Sequence, residues 1–276
     1  MRRRRRGATL LAHVLLAAAT LVIVFPMLYA VQVSTLEFQD VFVFPPKLLP
    51  GTAFADNLRR AWEKVHLGRL LANSAGIAVV VALGKIVLSV MAAFALTYFR
   101  DFPGKTLLFV AILATHMLPL PVRIVPTFQL MNDFGWVNSY RALTVPFFAS
   151  ATGTLLFRQF FLTIPPALSE AARVDGAGPL RFLVRILLPL SLNNLAALFL
   201  VEFLYMWNEY LWPLIVTTSD EMRVVQIGIK MLVATDAQAE WNLIMAGVVA
   251  AMVPPLVVLL ALQRSFVGSI SLGQEK

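Results

Sequence analysis

LANSAGIAVVVALGKIVLSVMAAFALTY, residues 71–98, has Lys85 as its only charged side chain. A hydrocarbon core of about 30 Å is crossed by about 20 mainly apolar residues in a helix. A run this long and this apolar also lacks the alternation of a membrane barrel strand. The stretch therefore predicts a membrane-spanning helix. Working outward, the same test finds five more runs, near Ala8–Val31, Thr106–Leu130, Arg141–Ile164, Ser191–Val216 and Asn242–Gln263. The expected fold class is all-α: a polytopic membrane protein with six transmembrane helices, forming one transmembrane domain over residues 1–276.

Composition agrees. Of 276 residues, 59% are hydrophobic and 14% charged, against about 25% charged in a soluble domain, so the lipid bilayer is the expected surrounding. No cysteine is present, which excludes disulfides and thiolate metal sites. The net charge of +8 points to orientation and anionic lipid rather than to nucleic acid. His13, His66 and His116 lack ligand spacing, and Trp207, Tyr210 and Trp212 suit an interfacial belt.

The start, MRRRRRG, precedes an apolar run too long for a cleaved signal. Five arginines, Arg2–Arg6, place that end in the cytoplasm by the positive-inside rule, and six crossings put both termini there. The tail 1–7, the loop 100–105, the segment 165–190 and the tail 264–276 are then expected inside. Residues 32–70, 131–140 and 217–241 are expected outside. The first of these carries FPPKLLPG and then NLRRAW, a proline-broken stretch before a short helix. A docking surface and a plain connecting loop suit it equally.

The inner segment 165–190 is charged and punctuated by glycine, unlike its neighbours. Pro165-Pro166 breaks the preceding helix, Ser169 is placed to cap a short helix starting at Glu170, and Gly176 to end it. Gly178-Pro179 reads as a turn into a second short helix, with Leu180, Leu183, Ile186 and Leu187 as its stripe and Arg181 and Arg185 off it. Two readings stay open on these residues alone: an element shaped to be gripped by a partner, or an amphipathic hairpin on the membrane surface.

Glu170, Ala171, Ala172, Gly176, Ile186, Leu188 and Pro189 stand in the pattern EAA, three residues, G, nine residues, I, one residue, LP. This resembles, at every fixed position, the signature loop of the permease subunits of bacterial ATP-binding-cassette importers. The six-span layout resembles the carbohydrate-uptake family that includes the maltose type. Stretches such as LPVRIVPTF, ASATGTLLFRQFF, LPLSLNNLAALF and WNEYLWPL most resemble the permeases of sn-glycerol-3-phosphate importers. The resemblance implies a cytoplasmic coupling helix that fits a groove in an ATPase subunit. Glu170 would pair with a basic residue there, Ala171 and Ala172 would allow close approach, and Gly176 would make the turn.

The resemblance further implies a second homologous permease, a homodimeric ATP-binding subunit, an external solute-binding protein and a place in the bacterial inner membrane. The chain has no GxxxxGK[ST] signature, so ATP and Mg are expected on the ATPase subunits and no ATPase site here. The implied cargo is sn-glycerol-3-phosphate or a glycerophosphodiester, with a neutral sugar or oligosaccharide as the other reading. An ion-coupled secondary transporter lies outside the class, and no internal repeat of that kind is apparent.

Within the expected spans lie Lys85, Arg123, Glu202 and Glu209. An ionised group at the bilayer centre costs about 2.5–3.5 kcal/mol on insertion scales, so each should face protein or a water-filled cavity. By depth, Lys85 matches Glu202 and Arg123 matches Glu209. Either these are structural ion pairs, or one or both cations face the translocation path. Around Arg123, Pro119, Pro121 and Pro126 interrupt the helix, and transporters use such breaks at substrate sites. Arg123, Tyr205, Asn208, Lys85 and Glu209 are the expected substrate-path residues, a guanidinium being suited to bidentate binding of phosphate. Arg158 should snorkel to the interface, and Pro254-Pro255 should kink the sixth span.

Overall fold

The computed structural model describes residues 2–99, 102–234 and 239–271. Among the described residues every regular element is helical. The helices are α1 (Arg2–Ser34), α2 (Phe54–Lys64), α3 (Leu67–Tyr98), α4 (Lys105–His116), α5 (Leu120–Asp133), α6 (Tyr140–Thr144) and α7 (Ala151–Thr163). They continue with α8 (Pro166–Val174), α9 (Pro179–Leu190), α10 (Leu192–Trp207), α11 (Leu211–Val216), α12 (Val225–Ala234) and α13 (Trp241–Ser271).

Three of these are long and apolar enough to cross a bilayer without interruption, at Leu11–Ser34, Leu67–Tyr98 and Trp241–Gln263. The third, fourth and fifth expected runs are each divided, a layout compatible with six passes. In the third run α4 stops at His116 and α5 starts after Pro119, which has ψ 145° and begins the new helix instead of continuing the old one. In the fourth, a 3₁₀ turn at Val145–Phe147 contains Pro146, and Ser150 then caps α7. In the fifth, Trp207 ends α10 and Leu211 begins α11. Proline removes an N–H and obstructs the preceding turn, which accounts for the first two breaks.

The edges differ from expectation in other places. Residues expected as a basic tail are helical from Arg2, and the C-terminal tail is helical to Ser271. The side chains of Arg2–Arg6, His116 and residues 264–276 lie outside the described residues. NLRRAW falls within α2. α13 runs through Pro254 and Pro255 as one helix.

The chain forms two compact units, Met1–Gly68 with Gly228–Val253 and Arg69–Ile227 with Pro254–Lys276. In the first, α1 ends in carbonyls that need partners, and α2 supplies them. Buried Asn57 donates from Nδ2 to Ser34 O at 2.9 Å and Leu36 O at 2.8 Å. Its Oδ1 accepts from Asn242 Nδ2 at 2.8 Å. Arg60 and Glu240 close the same region with an ion pair at 2.5 Å.

In the second unit, an apolar core joins Val90, Ala93 and Phe94 of α3, Phe157 and Phe161 of α7, and Leu198 of α10. Ala172, Phe182, Leu183 and Leu187 from α8 and α9 complete it. A 77° bend at Ser191 separates α9 from α10. Buried Ser191 gives its backbone N–H to Leu187 O and Leu188 O, both at 3.0 Å, and its hydroxyl to Leu187 O at 2.6 Å, so the bend leaves few polar groups unpaired. Gly153 lets α7 approach closely: a Cβ there would strike Ser89 and come within 2.9 Å of Leu198 Cδ2.

Because Asn57 is buried and is the partner of the Ser34 and Leu36 carbonyls and of Asn242, Asn57→Ala should cost about 1–3 kcal/mol. Its melting temperature in detergent should fall well below that of the parent protein, whereas Arg59→Ala, on the exposed ion pair with Asp56, should leave it nearly unchanged.

Candidate functional site: a charged cleft and a helical handle

Two of the three helix breaks of the second unit, those before α5 and α7, gather their polar residues around a cleft of about 810 Å³. α3 contributes Lys85 and Ser89, the break before α5 contributes Thr115 and Arg123, the break before α7 contributes Ser150, and α10 contributes Glu202 and Tyr205. Backbone freed at a broken membrane helix is tolerated where it lines a cavity, and this places the breaks here.

Lys85 and Glu202 form an ion pair at 2.5 Å, each side chain 8% exposed. The other carboxylate oxygen, Oε1, accepts from Ser150 Oγ at 2.8 Å. Ser150 Oγ in turn accepts the Gly153 N–H at 3.0 Å as the α7 cap. The Lys85 ammonium also sits 4.7 Å from the Tyr205 ring centroid, within cation–π range. Lys85 is thus ion-paired and also lines the cleft.

Arg123 differs. It is exposed and lines the cleft. Among the described residues no hydrogen bond or salt bridge engages its guanidinium, so the expected pair with Glu209 does not form. Glu209 instead accepts the Trp212 N–H at 3.1 Å, where a carboxylate suits the start of α11. Asn208 donates to Leu204 O at 2.8 Å and ends α10. Neither Asn208 nor Glu209 lines the cleft; both are spent on the chain ends at the break. Arg123, Tyr205 and Lys85 are the path candidates brought together.

One other expectation changes. Trp207 and Trp212 are buried, with Trp212 Nε1 donating to Ala142 O at 2.9 Å, so they are core residues and not an interfacial belt. The Arg158 guanidinium lies 4.3 Å from the Phe109 ring, which holds it against α4. Ser150 was missed by sequence reasoning. Its signal was a serine after a proline-containing turn and ahead of an apolar helical run.

The second feature is the α8–α9 handle. α8 starts at Pro166, four residues before the expected Glu170, because proline is well suited to the first helical position. Ser169 is therefore not the cap; its hydroxyl bonds back to Pro166 O at 2.9 Å. Gly176 has φ +75°. Its N–H reaches Arg173 O at 3.0 Å and that of Ala177 reaches Ala172 O at 2.8 Å, a Schellman termination in which glycine bears the left-handed backbone without strain.

Glu170 and Ala171 are exposed, but Ala172 is buried at 5% exposure in the unit's core. Its small size serves packing under the handle, not approach of an outside partner. α9 contains a π-helical turn at Leu183–Leu187, and the predicted stripe holds there but fails at Leu180. Phe182, Leu183 and Leu187 are buried, Ile186 and Leu188 half-buried, Leu180 is 71% exposed and Pro189 is exposed. The handle is fastened at Tyr98, whose ring meets Phe182 at 5.6 Å and the Arg173 guanidinium at 5.0 Å. Val174, Leu180 and Val184 remain exposed around Glu170, Arg173 and Arg181.

Comparison with known proteins gives concordant results. The family model described as binding-protein-dependent transport system inner membrane component matches residues 85–271. The sn-glycerol-3-phosphate transport system permease protein of Salmonella typhi is 44% identical over 270 residues, covering 95% of this chain and 96% of that protein. That of Rhizobium meliloti (strain 1021) is 44% identical over 272 residues, covering 96% of each. Among solved structures, a bacterial ABC transporter involved in import of the acidic polysaccharide alginate has a chain with TM-score 0.83 and 23% identity, covering 96% of this chain and 98% of that one. A second alginate transporter structure, in complex with its pentasaccharide-bound periplasmic protein, gives TM-score 0.66 at 16% identity over 94% and 93%. At those identities the likeness is one of fold.

Lys85→Met leaves the Glu202 carboxylate buried without its cation, which should cost roughly 3–5 kcal/mol. In the double variant Lys85→Met/Glu202→Leu most of that loss should return. Thermal unfolding of the four proteins in detergent checks this, and a double variant no more stable than Lys85→Met would contradict it.

Proposed function

The chain belongs to the family of binding-protein-dependent transport system inner membrane components, and on that premise we propose that it is the permease subunit of an ABC importer of sn-glycerol-3-phosphate or a glycerophosphodiester. The observation that carries the cargo is Arg123. Its guanidinium lines the cleft without a carboxylate partner, and a phosphate can take both of its parallel N–H groups. Relatives of nearly the same length that carry sn-glycerol-3-phosphate in their names support the same choice.

In this reading a second homologous permease completes the path, and an external solute-binding protein delivers cargo. ATP and Mg are bound by a homodimeric ATP-binding subunit, while this chain contributes the path and the handle. Both termini and the α8–α9 handle face the cytoplasm. Glu170 reaches a basic residue of the ATPase, Ala171 lets that subunit approach, and the exposed apolar residues beside them dock into its groove. Gly176 fixes the turn that presents α8. Ile186, Leu188 and Pro189 carry movement of the handle into the bend at Ser191 and so into α10. Closing and opening of the ATPase dimer then alternates the two permeases between outward-open and inward-open states.

Binding-protein-stimulated ATP hydrolysis by the reconstituted complex tests the reading, with glycerol-3-phosphate, glycerophosphocholine and maltose as cargo. Stimulation is expected with the phosphorylated glycerols. Stimulation by maltose alone would discard the cargo while leaving the permease assignment. Glu170→Ala should reduce coupled transport by about tenfold or more, the equivalent of at least 1.4 kcal/mol in coupling, with the complex still assembled. Arg123→Gln should slow uptake of phosphorylated cargo by a similar factor; a variant transporting at the parent rate would remove Arg123 from the path.

A further inference from the structure

Taking the chain as an importer permease, we propose that Glu202, positioned by Ser150, sets the charge preference of the path. By holding Lys85 in a neutral pair it leaves one uncompensated positive charge, Arg123, in this wall of the cleft. The cargo favoured is one with a single negative charge, a phosphodiester over a phosphomonoester.

The geometry supports this in three steps. Among the described residues the charged ones lining the cleft are Lys85, Arg123 and Glu202, a net charge of one. Both carboxylate oxygens of Glu202 are committed within the protein, Oε2 to Lys85 at 2.5 Å and Oε1 to the Ser150 hydroxyl at 2.8 Å. The Ser150 hydroxyl is itself fixed, since its oxygen accepts the Gly153 N–H at 3.0 Å, which aims its proton at Glu202. Tyr205 covers the ammonium on another side, at 4.7 Å from its ring centroid. The charge of Lys85 is therefore neutralised and covered by a carboxylate and a ring, while the exposed Arg123 is offered to cargo.

The chemistry of the two cargo classes then separates them. A phosphodiester presents two anionic oxygens and one charge, which a single guanidinium satisfies bidentately. A phosphomonoester, with a second pKa near 6, carries close to two charges at neutral pH. Its second charge meets no free cation among the described residues of this wall, and an unpaired charge beside apolar surface is unfavourable.

The test is charge accounting in proteoliposomes holding the full importer, at pH 7.5. Uptake efficiency is measured for glycerol-3-phosphate and for glycerophosphoglycerol, which is monoanionic and carries no cation. The binding protein is common to all complexes, so its own preference cancels when variants are compared with the parent. Glu202→Gln frees Lys85 and should raise the monoester-to-diester ratio by about tenfold. Lys85→Met takes the net charge to zero and should lower the ratio, so either single variant decides the matter if the other fails to assemble. Lys85→Met/Glu202→Leu restores a net charge of one and should restore the parent ratio. Unchanged ratios throughout, or a double variant shifted as far as Glu202→Gln, would overturn the proposal and give the pair a purely structural role. If the parent complex moves neither compound, the importer reading of the cargo itself fails.

Discussion

The ammonium of Lys85 and the carboxylate of Glu202 meet with each side chain only 8% exposed. Alone, either ion would be expelled from an apolar interior. Together, at about 4 Å and an effective dielectric of 20, opposite charges gain about 4 kcal/mol before desolvation is counted. The contact spans α3 and α10, and Ser150 at the head of α7 completes the carboxylate's bonding. Three helices are thereby held in one register. At 3.6 residues per turn, slipping any of them by one residue would carry its polar group about 100° out of the cluster. Gly153 allows the close approach this register needs, against Ser89 and Leu198.

The helix breaks follow from the same constraint applied to the backbone. A chain surrounded by hydrocarbon can leave peptide groups unpaired only where protein or cavity water receives them. The interruptions before α5 and α7 open on the same cleft, so the irregular backbone is collected in one place. The break at 208–210 is handled differently. Asn208 and Glu209 turn their side chains onto the ends of α10 and α11, closing the gap internally. That is why two polar residues at such suggestive depth stay off the path.

The class of fold was legible because it rests on run length and apolarity, which a sequence states directly: residues 71–98 are one helix within α3. The handle was legible because EAA and Gly176 are local, and the Schellman termination is made almost wholly of groups within six residues. Pairing by depth found Lys85 with Glu202, since both sit mid-run, but it failed for Arg123 and Glu209. Depth ignores that a broken helix creates its own demand for polar caps. The stripe of α9 held at Leu183, Ile186 and Leu187 but failed at Leu180, in the first turn, where Phe182 takes the core position instead. Ala172 shows a further limit, for a small residue looks alike whether it makes room for a partner or for its own core.

The distribution of these residues bears on how force at one end reaches the other. α3 carries Lys85 and, one or two turns on, Val90, Ala93 and Phe94; α10 carries Glu202 and Leu198; α7 carries Phe157 and Phe161 beyond its Ser150 cap. The same three helices that hold the charged cluster thus close over Ala172, Phe182 and Leu187 of the handle. Close-packed interiors transmit displacement because they resist compression, so the handle cannot shift far against this core without carrying the helices with it. The bend at Ser191 joins α9 to α10 directly, giving Glu202 a covalent route as well as a packed one. A cleft whose charge balance depends on the relative positions of α3 and α10 is therefore built on the elements packed against the handle.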